Sequence, residues 1–523
     1  MTARTLMVVG TQSSAGKSTL VAALCRILAR DGLRVAPFKA QNIALNAGVT
    51  PEGHEIGRAT LVQAEAAGVA PHPDMNPVLI KPEGARGSQL VLGGHAHSRL
   101  DAETWPALRP LIWNTITAAL DRLRARTDIV VIEGTGSPVE LNLQANDMAN
   151  MSVARYADAP VLLVGDIERG GVFAALVGTL VLLAPEDRAR VRGLVINKFR
   201  GDPAALGNAL DLLRPRAFDL PTLGVIPYLS RIGLPAEDVV SLDATAPDPA
   251  REAADGSADN PVRIAVVRLP HISNFDDFEP LAAEAGVAVR YVERADQLDD
   301  LTAAVILPGS KVTLDDLAWM RRSGIADAVA RLAARGATVV GICGGYQMLG
   351  RWLLDPEGVE AEPGAEVPGL GLLPVRTVFE RGKRTLRIEA TVDAQAGPFA
   401  ALAGTTIRGY ELHVGRTSVE PEASGVARLC VARDRGPDDA LDAVDASGRV
   451  WGTYLHGIFD NDDLRHAWLR SLGWRGRGRR LDREAAHDRL ADHVTAHLDL
   501  AAVRRIAGLD PVETTPAWPG RPA

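Results

Sequence analysis

From the N-terminus to about residue 240, six short apolar runs alternate with stretches whose apolar residues recur at helical spacing: TLMVV, RVAPF, DIVVIEG, APVLLVGD, RGLVINK and TLGVIPY. Runs that are apolar throughout, rather than at every second position, predict strands buried on both faces, and the helical stretches between them predict a parallel sheet. The pattern stops at SLDATAPDPAREAADGSADNP, rich in Pro, Asp, Ala and Gly, which predicts a linker over 241–260. It resumes at VRIAVVRLP and runs through AVRYVER, AAVILPGS and ATVVGICGG to VWGTYLHGIF. The class is therefore α/β, with two doubly wound domains over 1–240 and 261–470. Residues 471–523 read as an Arg-rich, solvated stretch and a helical tail. The run VFAALVGTLVLLAP from Val172 is shorter than the roughly 20 residues a bilayer needs, and predicts a buried helix.

Composition narrows the function. At 523 residues, 46% hydrophobic and 23% charged, the chain has room for more than one core and the balance of a globular protein. Its 57 basic against 65 acidic residues give a net charge of −8, which argues against a nucleic-acid partner. Three widely spaced cysteines, Cys25, Cys343 and Cys430, offer neither a disulfide framework nor a zinc site, so a reducing cytoplasm is expected. No apolar segment long enough for a signal peptide precedes the first motif, and no membrane association is expected.

That first motif is GTQSSAGKST, Gly10–Thr19, between the strand TLMVV and a stretch whose Leu20, Val21, Leu24, Ile27 and Leu28 share a helical face. Strand, Gly-rich loop, Lys-Ser-Thr and helix form the context in which backbone N–H groups and a helix N-terminus cradle phosphates. Five residues, not the common four, separate Gly10 from Gly16. Gly10, Thr11, Gly16, Lys17, Ser18 and Thr19 are the candidate ATP-binding residues, with Ser18 also on Mg²⁺. Glu133 ends an apolar strand, where its carboxylate would face the phosphates as the second metal ligand. Lys39, just beyond another strand, is either a cation for the transferring group or a surface lysine. Cys25 falls inside the helical stretch and reads as a packed core thiol.

A second loop, GICGGYQMLG, places Cys343 between Gly341 and Gly345 where a strand turns into a helix. This is the spacing of a nucleophile elbow, with the N–H of Gly344 available to an oxyanion and a helix N-terminus that would favour the thiolate. His456, after the β-like run VWGTYL, is the candidate base, and the backbone of Gly309 or Ser310 would complete the oxyanion hole.

The six-spaced GTQSSAGKS with PFKAQN, EGTGSP and INKFRGD resembles the dethiobiotin-synthetase type of ATP-dependent ligase. With EIGRATLVQAEAAG, MNPVLIKPEG and GDIERGGVFA it resembles, within that type, the cobyric acid synthase family. The second half is similar to class I glutamine amidotransferase domains, in which a cysteine forms a thioester with glutamine and releases ammonia. The resemblance implies a P-loop NTPase-like synthetase domain followed by a flavodoxin-like amidotransferase domain. It also implies that Asn197 helps read the adenine and that Asp166 lies near the reacting groups. The activity implied is amidation of corrinoid carboxylates with ATP, Mg²⁺ and glutamine. A related a,c-diamide synthase, or an ATPase switch fused to an inactive amidotransferase-like module, are the alternatives. One position departs from most amidotransferases: the glutamate two residues after the histidine is Ile458 here. What orients His456, and whether Glu411 in IRGYELHVGRT compensates, stays open at this level.

Overall fold

The structure, a computed structural model, describes residues 2–84, 87–142, 144–229, 233–235, 261–394, 397–420, 426–432 and 439–509; the expected linker 241–260 lies outside them. The six runs of the first part form one sheet in the spatial order Thr222–Pro227, Val191–Phe199, Val161–Asp166, Arg4–Gly10, Ile129–Glu133, Val35–Lys39. Every pairing in it is parallel. Successive residues explain the uninterrupted apolar runs: Met7, Val9, Val130 and Ile132 enter one core, while Leu6, Val8, Ile129 and Val131 enter another on the opposite face.

The five runs of the second part form a parallel sheet in the order Val287–Val292, Val262–Val267, Ala304–Leu307, Thr338–Ile342, Val450–Thr453. An antiparallel edge strand, Asp442–Val444, which the apolar pattern did not signal, closes one side. Two further additions, antiparallel apart from the pairing of Gln41–Ile43 with Val78–Pro82, were also not legible as runs. One is the four-stranded sheet formed by Gln41–Ile43, Val78–Pro82, Ser88–Leu92 and His95–Leu100; the other is the long hairpin Val375–Val392 with Thr406–Val419. Strands such as His95–Leu100 and Val375–Val392 are half-exposed, so they lack the continuous hydrophobicity that marks the central strands.

Two expectations change. The helix Val172–Leu182 is not buried as expected: Val181 and Leu182 are 58% and 46% exposed, and only one side, with Val172, Leu176 and Leu180, enters the core. The tail does not stand apart, because Leu490, Val494, Leu498, Leu500 and Val503 join the core beneath the helix Lys17–Arg30. Ion pairs Arg26–Asp488 and Arg30–Asp492 decorate that contact at 2.8 and 2.6 Å, but exposed pairs contribute little, so the apolar packing holds the tail in place. Arg475, Arg477, Arg479 and Arg480 face solvent, as the charge pattern predicts.

The two parallel sheets meet through their additions. Ala47, Leu79 and Val91 pack against Leu412 of the long hairpin. Beside them Lys383 reaches Glu55 at 2.6 Å, with Lys81 on the other carboxylate oxygen at 2.8 Å. Burial by itself would raise the Glu55 pKa, but the two ammonium groups override it and hold the carboxyl at about 2.

Two candidate active sites at strand ends

In a parallel sheet all carboxyl ends share one edge, so residues distant in sequence converge there. Register makes this concrete in the first sheet: Glu133 pairs with Val8 and with Lys39, and Asp166 pairs with Asn197. Glu133 is 1% exposed and its carboxylate is fully engaged. Oε1 accepts from Ser18 Oγ at 2.8 Å and pairs with Lys39 Nζ at 2.9 Å, while Oε2 accepts from Gln63 Nε2. Lys39, 5% exposed, is therefore a buried cation of this site rather than a surface lysine.

Lys17 Nζ donates to the carbonyls of Gln12 and Gly136, each at 3.0 Å. Gly16 precedes the helix with φ +92°, and a Cβ there would lie 2.0 Å from Asn197 Nδ2, which donates to Ala15 O at 3.0 Å. The bend needs glycine for both its dihedral and its close approach. These residues open into a cleft of about 1460 Å³, lined also by Thr19 and by Leu490, His493 and Val494 of the tail. Gly10 and Thr11, expected among the nucleotide residues, stand behind the loop rather than in the cleft. The Thr11 N–H donates to Val164 O at 2.9 Å, and a Cβ on Gly10 would press on the Lys17 stem. Asp166 likewise sits at the back, accepting from Lys198 Nζ at 2.9 Å.

The residues present fit ATP with Mg²⁺. The glycine-only cradle, a 14-residue helix starting at Lys17, and a hydroxyl 2.8 Å from a buried carboxylate form the donor set such sites use, the remaining ligands coming from phosphate and water.

At the edge of the second sheet Cys343 follows the strand Thr338–Ile342 with φ +52° and ψ −110°, a conformation that costs a non-glycine residue about 1–3 kcal/mol. Flanking glycines allow it: a Cβ on Gly345 would lie 1.9 Å from Leu307 O, and one on Gly341 2.6 Å from Gly345 O. Ser310 N is 2.9 Å from where Gly344 would carry a Cβ. Gly309 serves differently. Lys311 N donates to His271 O at 2.9 Å and Gly309 pairs with Ser273, so antiparallel alternation assigns the Gly309 N–H to the ladder with Ser273. A Cβ on Gly309 would come within 3.3 Å of the His456 ring, so this position keeps the imidazole's space clear.

His456 is 1% exposed and lies beside Cys343, whose Sγ donates to Leu412 O at 3.7 Å. Its Nδ1 faces Asp277 Oδ2 at 2.7 Å, and Asp277 Oδ1 accepts from Gly457 N at 2.9 Å. Burial alone would lower the imidazole pKa, but the charge and hydrogen bond of Asp277, together with Cys343, raise it to about 10. The open question of orientation is thus answered by Asp277, not Glu411, which pairs instead with His413 at 3.6 Å. Sequence reading also missed Gln63, Arg58 and Tyr410. Asp277 had a signal: FDDFE follows the strand Val262–Val267, the same strand-end logic that selected Glu133.

Ile458 is fully buried in the second core, in the place where most amidotransferases carry a carboxylate. We expect Ile458→Ala to lose about 2–5 kcal/mol of stability while the folded protein hydrolyses glutamine near the wild-type rate. Denaturant unfolding and glutamate release measure the two. A drop of several powers of ten in a folded variant would give Ile458 a catalytic part.

Residues 6–240 match the family model of the CobQ/CobB/MinD/ParA nucleotide binding domain, and residues 263–464 that of the CobB/CobQ-like glutamine amidotransferase domain. The chain is similar along nearly all its length to proteins named cobyric acid synthase. That of Sorangium cellulosum is 51% identical over 532 residues, covering 98% of this chain and 100% of the relative. That of Chloroflexus aurantiacus is 48% identical over 507 residues, covering 97% and 99%. That of Syntrophobacter fumaroxidans is 45% identical over 518 residues, again covering 97% and 99%.

Proposed function

The chain belongs to the cobyric acid synthase family, and on that footing we propose how its side chains divide the work. It is a glutamine-hydrolysing, ATP-dependent amidoligase that amidates the b, d, e and g carboxylates of adenosylcobyrinic acid a,c-diamide in cobalamin biosynthesis. The a,c-diamide synthase and ATPase-switch readings are not favoured, since the match to cobyric acid synthases spans 97% and 98% of the chain.

In our reading residues 1–240 form the synthetase domain, 261–470 the amidotransferase domain, 241–260 the linker, and 471–523 a tail that serves the first domain by lining its cleft. Cys343 is the nucleophile toward the glutamine side-chain amide, His456 takes and returns its proton, and Asp277 fixes the imidazole. The amides of Gly344 and Ser310 stabilise the oxyanion, and Gly309 is withdrawn from that role. In the synthetase domain Lys17 and the Gly16–Thr19 turn hold phosphate, and Asn197, which donates to Ala15 O of the loop and lines the cleft, is our candidate for reading the adenine. Ser18 and Glu133 would hold Mg²⁺, which when bound neutralises charge on the transferring phosphoryl group. Phosphorylation turns a carboxylate oxygen into a leaving group, and ammonia then displaces phosphate. The observation that carries this assignment is the presence, at the carboxyl edges of two sheets of one chain, of a buried Cys–His–Asp set and a Lys–Ser–Glu phosphate set.

The corrin diamide incubated with ATP, Mg²⁺ and glutamine should gain four amides by mass spectrometry; a product confined to the a and c positions would overturn the substrate assignment. Lys17→Ala should lower amidation roughly 10²–10³-fold with either glutamine or ammonium as donor. Glu133→Gln should lower it roughly 10–100-fold, partly recovered by raised Mg²⁺. Near wild-type turnover by both at saturating ATP would remove the phosphate site. We also propose a cytoplasmic location, supported by three free, buried thiols, and no nucleic-acid partner, supported by the net charge of −8. Among the described residues no helix is long and apolar enough to cross a membrane.

A further inference from the structure

Helix Arg58–Ala66 belongs to the ATP side of the molecule, yet its two ends serve different sites. Gln63 donates to Glu133 Oε2 and to Ser18 O. Five residues back, about 7.5 Å along the axis, Arg58 points the other way, into the amidotransferase half. Its Nε pairs with Asp276 Oδ2 at 2.8 Å, both side chains being 5% exposed, and its Nη2 donates to the Tyr410 hydroxyl. That hydroxyl also accepts from Asn274 Nδ2 at 2.6 Å and donates to Ala47 O at 3.2 Å, so three partners fix it, two of them, Arg58 and Ala47, from the synthetase side. The Tyr410 ring in turn stacks on His456, with centroids 5.2 Å apart and planes inclined by 19°. Asp276 is the chain neighbour of Asp277, the carboxylate on His456 Nδ1.

We propose that Arg58 is a positioning residue for the glutaminase chemistry, holding from the synthetase side both flanks of His456: the Tyr410 ring and the Asp276–Asp277 turn. Charge supports the geometry. Asp276, Asp277 and Asp460 face Arg58, with Arg483 the other cation nearby, and burial together with Asp277 pushes Asp276 up to about 6 even with the guanidinium beside it. Without Arg58 the buried acidic turn loses its nearest counter-charge and the phenol loses a donor, so both supports of the imidazole are free to shift. Misplacing a reacting group by about 1 Å can cost 10²-fold. The proposal rests on His456 being the base that acts on Cys343.

The test uses the full chain and measures glutamate release and ammonium-driven corrin amidation side by side. In Arg58→Met we expect kcat for glutamine hydrolysis to fall roughly ten- to a hundredfold, with KM for glutamine little changed because Arg58 does not touch Cys343 or its oxyanion amides. Ammonium-driven amidation should continue. Arg58→Lys, which keeps the charge beside Asp276 but cannot also serve Tyr410, should lie between. Tyr410→Phe keeps the ring and deletes only the hydroxyl; it should lose several-fold in kcat, and it decides the matter if Arg58→Met fails to fold. Wild-type kcat in folded Arg58→Met, or in Tyr410→Phe, would overturn the proposal. Cys343→Ala run in parallel separates the two readings: glutamine hydrolysis by that variant would sink the assigned nucleophile itself, whereas its loss beside a fully active Arg58→Met would sink only the positioning role.

Discussion

Cys343→Ala is expected to lower glutamine-dependent amidation by roughly five to six powers of ten, below detection, while ammonium chloride at raised pH still supports the reaction. Among the described residues Cys343 is the thiol held at a strand-end elbow in contact with His456; Cys25 and Cys430 are buried in other parts of the two cores. Without it no thioester forms. The phosphate residues lie on another sheet, with Lys17 and Glu133 engaged by groups from their own strand ends, so the acyl phosphate still forms. Free ammonia can then attack, and raised pH is needed because the ammonium ion has no lone pair. Corrin amidation followed by mass spectrometry with each nitrogen donor checks this. Glutamine-driven product at the wild-type rate would reduce Cys343 to a core residue.

Asp277→Asn should cost roughly 10³–10⁴-fold in glutamine hydrolysis. The carboxylate does two jobs: Oδ2 lies 2.7 Å from His456 Nδ1, and Oδ1 accepts from the Gly457 amide at 2.9 Å. An asparagine is the same size, so the turn should survive, but it carries no charge. Burial, no longer opposed by Asp277, would pull the imidazole pKa down from about 10 toward or below its ordinary 6.5. At neutral pH the imidazole would then lose the positive charge it holds beside Cys343. Alkylation of Cys343 by iodoacetamide, followed by peptide mass, reads that loss directly: we expect a slower reaction at pH 7 in the variant. Unchanged glutaminase turnover would mean that another group orients His456.

Much of this molecule was legible without coordinates because its logic is local. Ten of the eleven parallel strands announce themselves as continuous apolar runs because they are buried, and only the edge strand Val287–Val292 is half-exposed. Parallel strands align their carboxyl ends, so motifs placed just after them, with Lys17, Glu133, Cys343 and His456, could be assigned to common edges. Glycine spacing around Cys343 carried the elbow, because only a missing Cβ lets Gly345 sit against Leu307.

What the tertiary structure alone decided involves partners chosen by packing across long separations. Asp277 is one of 65 acidic residues, and its meeting with His456, 179 positions away, depends on how two strand-end loops fold over one edge. Arg58 and Tyr410, separated by 352 positions, meet only because the hairpin Val375–Val392/Thr406–Val419 docks on the ATP side. The same cause sets backbone partners: the Thr11 N–H donates to Val164 O and the Gly309 N–H belongs to the ladder with Ser273, commitments made by sheet pairing and not by residue type. Side-chain chemistry and periodicity are written residue by residue, whereas hydrogen-bond partnership between distant loops is a property of the packed chain.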